Sequence, residues 1–153
     1  MAGTFSQIHI QVVFAVKFRD SVISEEWQER LYQYTTGVIQ NNGHKVLAIN
    51  GMPDHIHILI GLRPAQGISD LVNIIKSNTS KWVNESKFCK TRFEWQEGYG
   101  VFTYTKSHVP RIIDYVLNQK EHHKKETFRE EYIKFLRWAE IEFDEKYIFK
   151  GLE

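Results

Sequence analysis

Two strand-like runs with only two residues between them limit this chain more than any other feature. In 44-HKVLAINGM-52 and 55-HIHILIGL-62 the apolar and β-branched residues leave only Pro53-Asp54 as connection. The two runs must therefore fold back on each other as an antiparallel hairpin. A lone hairpin is marginal in water, so further strands and a covering layer are required. The rest of the chain offers them. In 5-FSQIHIQVVFAVKF-18, Ile8, Ile10, Val12, Phe14, Val16 and Phe18 alternate onto one face, the period of a strand. A fourth strand is expected near 98-GYGVFTYT-105.

Helical periodicity fills the gaps. In 24-SEEWQERLYQYTTGVIQNNG-43, Trp27, Leu31, Tyr34 and Val38 recur at helical spacing. Ser24 is placed to cap, Glu25 and Glu26 suit the positive helix end, and Asn42-Gly43 stops it. A second helix is expected from Ser69 to about Ser86, burying Leu71, Ile75 and Trp82. A third is expected over 107-SHVPRIIDYVLNQKEHHKK-125, capped by Ser107 with Pro110 in its first turn. A short helix near 129–139 and a tail with Ile141, Phe143, Tyr147 and Phe149 close the chain; the tail aromatics are expected to cover the core or a second copy.

The order strand, helix, strand, strand, helix, strand implies an α+β, ferredoxin-like split βαβ fold, an antiparallel sheet with helices on one face, plus C-terminal helices. At 153 residues one domain is expected: core about 5–105, helix about 107–125, then 126–153. Cys89 is the lone cysteine, which excludes an internal disulfide and a cysteine zinc site. No basic-then-apolar leader and no run near the ~20 apolar residues of a membrane span is visible. A soluble, cytoplasmic protein is expected. Lys76, Lys81, Lys87, Lys90 and Arg92 meet a single acid, Glu85, between 76 and 92; they are candidate phosphate contacts, although solvated basic faces are common. Trp95 and Tyr99 are candidate base-stacking aromatics.

The strand 55–62 carries a conflict within itself. Alternation puts His55, His57 and Leu59 on one face and Ile56, Ile58 and Ile60 on the other. Two imidazoles roughly 6.6 Å apart along a strand can converge on one ion, and neutral imidazole is a common metal ligand. An isolated H-x-H is more often two rings on a half-exposed sheet face. A partner surface is therefore needed. On the 107–125 helix, Val109, Ile112, Ile113, Val116 and Leu117 form an apolar face. Beside it runs a polar stripe of His108, Arg111, Tyr115, Gln119 and His122, with Tyr115 and Gln119 four apart and adjacent. That stripe suits a charged ligand.

The pieces 53-PDHIHILI-60, 95-WQEGYGVFTYTKS-107, 112-IIDYVLNQKEHH-123 and 127-TFREEY-132 resemble the single-tyrosine HUH transposases of insertion sequence 200 and its relatives over nearly the whole chain. The resemblance makes His55-Ile56-His57 the HUH motif, Tyr115 the nucleophile, and Gln119 the metal-binding glutamine. It implies cutting and rejoining of single-stranded DNA at element ends through a covalent 5′-phosphotyrosine, recognition of DNA hairpins, and a homodimer. In well-described relatives the tyrosine helix of one subunit completes the other subunit's histidine site; the sequence alone does not decide between that exchange and a site within one chain. Magnesium is expected first and manganese close behind; zinc would follow from affinity alone. Asp54 is a candidate to orient a histidine from behind, or simply a turn residue. His122, three residues beyond Gln119, is a candidate base, or a surface histidine. Arg111 is expected near the site as a phosphate contact. Tyr104 stands where relatives often carry a small aliphatic residue and is a rival nucleophile, although its place in a strand and the lack of a partner glutamine argue for simple packing. Competing readings are a non-catalytic single-stranded nucleic-acid binder on the same sheet, which would need neither Tyr115 nor Gln119, and an HUH replication initiator or relaxase-type nickase. A metal-independent phosphoesterase would need two H-x-Ser/Thr motifs, which are missing.

Overall fold

Across Pro53-Asp54 the hairpin forms as the spacing requires. Strand β2 (Lys45–Met52) pairs antiparallel with β3 (His55–Gly61), Met52 opposite His55 and Asn50 opposite His57. This comes from a computed structural model of the chain that describes residues 3–143. Strand β1 (His9–Ala15) flanks the other side of β3, with Val13 opposite His57, and β4 (Gly100–Tyr104) lies beyond it. The sheet order β2-β3-β1-β4, all antiparallel, with helices α1 (Gln28–Asn41) and α2 (Ile68–Ser86) in the connections, is the split βαβ arrangement expected.

The two sheet faces have different fates. Ile10, Val12, Phe14, Ile56, Ile58 and Ile60 face α1 and α2 and join Leu31, Ile39, Leu71 and Ile75 in the main core. Each fully buried aliphatic side chain there contributes about 1.5–3 kcal/mol of transfer free energy. The opposite face carries Gln11, Val13, Ala15, His55, His57 and Leu59. It is covered by the C-terminal helices α3 (Val109–Leu117), α4 (Gln119–His122) and α5 (Phe128–Trp138). Val116 packs on Ala48 and Leu59, while Phe128 and Leu136 pack on Val13, Ala15 and Phe102. Gly100 makes room for this layer: a Cβ there would come within 2.8 Å of the Tyr132 ring.

Several sequence expectations are corrected. Phe18 leaves the apolar row of β1, with φ of 60° and half its surface exposed. Helix α1 starts at Gln28 and not beside Ser24, because residues 24–27 form a turn through backbone bonds from Trp27 and Gln28 to the Ser24 carbonyl. Trp82 is half-buried and stacks on Tyr34. The single helix expected over 107–125 is divided at Asn118. There the backbone N–H is shared between the Asp114 and Tyr115 carbonyls, and the side-chain amide also donates to Asp114 at 2.7 Å. A short polar side chain competing for the helix's own carbonyls is a physical reason for the interruption. Of the tail aromatics, Phe143 packs beside α5, while Tyr147 and Phe149 lie outside the described residues.

Candidate active site

His55 and His57 are completely buried beneath the C-terminal helices. A buried imidazole must place both ring nitrogens, and in each the Nδ1 position is taken. His55 Nδ1 lies 2.7 Å from Asp54 Oδ1, supplied by the hairpin turn, and His57 Nδ1 lies 2.7 Å from Gln11 Oε1 on β1. The Gln11 amide donates to the Tyr104 hydroxyl at 2.8 Å, which fixes the orientation of its oxygen. Phe128 stacks flat on the His55 ring, centroids 3.7 Å apart. Both Nε2 atoms are thereby aimed at the covering helices.

What meets them comes from three helices. Glu131, on α5 and 1% exposed, places Oε1 3.0 Å from His57 Nε2, 3.7 Å from His55 Nε2 and 3.3 Å from His123 Nε2. Gln119, at the start of α4 and fully buried, brings its Oε1 to 3.2 Å from His123 Nε2. His123 follows α4, its Nδ1 3.0 Å from the Glu126 carbonyl oxygen. Tyr115, on α3, donates its hydroxyl hydrogen bond to Glu131 Oε2, and its ring centroid lies 5.9 Å from that of His57. The donor atoms of His55, His57, His123 and Glu131 all lie within 4.8 Å of one another.

Electrostatics follow from burial opposed by partners. Burial pushes the His55 imidazole below its ordinary pKa, with the Asp54 hydrogen bond offsetting part of that. Burial would raise the Glu131 carboxyl, but bonds from His123 and His57, the His57 charge and the Tyr115 hydroxyl hold it well below the carboxylate range. His123 loses by burial and gains more from Glu131, ending raised. Burial and then the Glu131 charge push the Tyr115 phenol far up, so it is neutral at pH 7. Among the described residues, one buried atom of the site has no hydrogen-bond partner: His55 Nε2. Leaving such a group unsatisfied costs about 1–3 kcal/mol, and a cation among these nitrogens and oxygens would satisfy it. The donor set fits a divalent ion.

The sequence candidates distribute unevenly. His55, His57, Gln119 and Tyr115 converge, and Asp54 sits behind His55. His122 stacks on the Tyr115 ring at 4.3 Å; its neighbour His123 turns inward instead. Tyr104 is tied to Gln11, and its phenol is pushed up to about 12 by burial. Arg111 is exposed and lines a cleft of about 500 Å³ with Tyr115, Tyr104, Lys134 and Trp138. The basic residues on and after α2 lie on or beyond the helix layer of the opposite sheet face. Lys76 donates to the Gln96 and Gly98 carbonyls at 2.8 and 2.6 Å and is lowered to about 8 by burial. Lys81 pairs with Glu85 and Arg92 with Glu94, while Lys87 and Lys90 are exposed. Trp95 is in the core, its indole donating to Thr79 at 2.9 Å, which leaves no face for a base. Tyr99 is exposed, under the Lys76 ammonium. Sequence reasoning assigns no role to Glu131, His123 and Gln11. The first two fall in stretches that carry the family resemblance, 112–123 and 127–132, but no local spacing ties them to the strand pair.

Comparisons with known proteins agree on kind. A family model described as Transposase IS200 like matches residues 4–119. The ISDra2 transposase TnpA of Deinococcus radiodurans is 29% identical over 79 residues, which is 52% of this chain and 56% of that protein. The transposase for insertion sequence element IS200 of Salmonella typhimurium is 27% identical over 129 residues, 81% of this chain and 84% of that one. Among solved structures, a candidate transposase from Deinococcus radiodurans R1 is similar with TM-score 0.64 at 24% identity, over 78% of this chain and 95% of that one. A REP-associated tyrosine transposase bound to a REP hairpin is similar with TM-score 0.59 at 15% identity, over 80% of this chain and 74% of the other. At these identities the structural likenesses speak for fold alone. With its family model matched over most of its length, the chain belongs to the IS200-like transposases.

Proposed function

We propose that this transposase cuts and rejoins single-stranded DNA at insertion-element ends, with Tyr115 as nucleophile. One observation carries the reading: the Tyr115 hydroxyl is joined through a single carboxylate, Glu131, to the strand histidine pair. The phenol is neutral, so attack requires its proton to leave as the new bond forms. That proton lies on a hydrogen bond to an ionised carboxylate, and Glu131 is the acceptor. The Tyr115 oxygen bonds to the scissile phosphorus, the bond from phosphorus to the 3′ oxygen breaks, and the 3′ end leaves as a hydroxyl after taking a proton from solvent. The 5′-phosphotyrosine keeps the phosphodiester's bond energy, so a different 3′-OH can reverse the step without ATP.

His55, His57 and Gln119 would hold a divalent cation, magnesium or manganese, in this reading. Bound there, such an ion offsets charge on the phosphate oxygens. Asp54 and Gln11 keep each Nδ1 engaged so that Nε2 would be the atom offered to the ion. Arg111, at the mouth of the Tyr115 cleft, is a phosphate contact on approach, and Lys81, Lys87, Lys90 and Arg92 serve more remote DNA. In this reading the partner is hairpin DNA, the kind of ligand carried by the fold-similar transposase that is bound to a REP hairpin. Pairing of two copies and action in the cytoplasm belong to the same reading. Among the described residues no helix is long and apolar enough to cross a membrane.

The test is a denaturing gel of protein incubated with single-stranded hairpin-bearing element-end DNA and Mg2+ or Mn2+. A covalent protein–DNA band is expected that disappears with chelator and in Tyr115→Phe. A band that persists in Tyr115→Phe would overturn the assignment and shift it to Tyr104 or Tyr99.

A further inference from the structure

We infer that His123 and Glu131 are themselves cation ligands, completing with His55, His57 and Gln119 a nitrogen-rich shell that selects Mn2+ over Mg2+. The inference rests on the cation site of the proposed function but concerns residues beyond the HUH pair and the glutamine. Tautomers decide which ring atoms can bind. All three histidines have an oxygen acceptor at Nδ1: Asp54 Oδ1 at 2.7 Å, Gln11 Oε1 at 2.7 Å and the Glu126 carbonyl at 3.0 Å. Each neutral ring therefore carries its hydrogen on Nδ1 and presents a lone pair at Nε2.

In that neutral form the three lone pairs meet, among the described residues, only further acceptors, because hydrogen bonds from these Nε2 atoms to Glu131 require protonated rings. Glu131 Oε1 stands 3.0, 3.3 and 3.7 Å from the Nε2 atoms of His57, His123 and His55, and Gln119 Oε1 stands 3.2 Å from that of His123. In a site this dry, lone pairs facing lone pairs repel unless positive charge lies between them. Protons on several adjacent imidazoles would supply it only by setting cation against cation within a buried site. A single divalent ion removes the conflict and gives His55 Nε2 the partner it lacks.

The spacing agrees. Two donors each about 2.1 Å from one ion and about 90–110° apart lie about 3.0–3.5 Å from each other. Three of the four separations fall in that range, and the fourth, at His55, exceeds it by 0.2 Å. Three imidazoles, one amide oxygen and one carboxylate oxygen suit Mn2+ better than Mg2+, which prefers oxygen and retains water. Glu131 then acts through both of its oxygens. Its Oε1 binds the ion while Oε2 holds the Tyr115 hydroxyl, which sets the nucleophile's distance from the cation.

The test needs no DNA. Mn2+ is titrated into the full-length chain, and pulsed electron paramagnetic resonance counts the imidazole nitrogens coupled to it. Three are expected in the wild type and two in His123→Ala; two in the wild type would overturn the inference. Binding of Mn2+ is expected to be about tenfold or more tighter than that of Mg2+, and Glu131→Gln is expected to weaken it about 10–100-fold. Glu131→Gln within about twofold of wild type, with an unchanged circular dichroism spectrum, would also overturn it. If that variant does not fold, the wild-type nitrogen count still decides. A missing DNA adduct beside an intact three-imidazole site would sink the proposed reaction and leave this inference standing.

Discussion

Glu131 shows how much a single side chain can carry when water is excluded around it. Its carboxylate touches His57, His123 and Tyr115 and is held ionised by them against the cost of burial. A carboxylate depressed in the folded state contributes stability above its unfolded pKa and loses it as pH falls. Relative to the ordinary value of 4.5, the metal-free protein is expected to lose stability as pH drops below about 4.5. Urea midpoints in chelator between pH 6 and 3 should show a steep acid limb that is flatter in Glu131→Gln; equal slopes would remove the coupling. Arg111, the proposed phosphate contact, and Lys76, bonded into the scaffold, lead to different expectations. Arg111→Gln is expected to lower the salt slope of single-stranded DNA binding by about one unit, as loss of one phosphate contact should. Lys76→Gln should leave that slope unchanged and lower the melting temperature, because its ammonium ties the 96–98 loop to α2.

Helix α5 is the element on which the site's second half depends. Its first turn is closed by a capping box: the Thr127 hydroxyl accepts from the Glu130 backbone N–H, and the Glu130 carboxylate accepts from the Thr127 backbone N–H. Thr127→Ala is expected to cost about 0.5–2 kcal/mol, speed amide exchange across α5 and weaken Mn2+ binding; Thr127→Ser should restore all three. Unchanged exchange in the alanine variant would show that packing of Phe128 and Leu136 alone fixes the helix. The elements themselves were largely legible, because period-two alternation in β1 and β3 and the two-residue connection at Pro53-Asp54 admit few alternatives. His55 with His57, and Tyr115 with Gln119, were legible for the same reason, since each pair is local to one strand or one helical stretch. Glu131 was not. It lies 16 residues beyond Tyr115, across a turn and on another helix, where no periodicity links it to the strand. The interruption at Asn118 had a related effect: a continuous helix puts His122 on the stripe, whereas the divided one turns His123 inward.

At the scale of the whole molecule, both sheet faces are covered, one by the apolar helix layer of the main core and the other by the layer that holds the proposed site. Helices α1 and α2 bury the apolar face, and the C-terminal helices seal two histidines against a carboxylate, an amide and a phenol. All of these groups come from one chain, within a contiguous layer in which α3, α4 and α5 follow one another with short connections. The proximity of these groups within one chain predicts that the same chain supplies both the strand histidines and the tyrosine proposed to act with them, a point on which the sequence itself is silent. Mixing His57→Ala with Tyr115→Phe tests it most directly, with covalent attachment to single-stranded element-end DNA as the readout. No adduct above that of either variant alone is expected, while the wild type reacts under the same conditions. An adduct restored in the mixture, carried by Tyr115 of the His57→Ala chain, would show that the tyrosine works in the partner's site and contradict the claim.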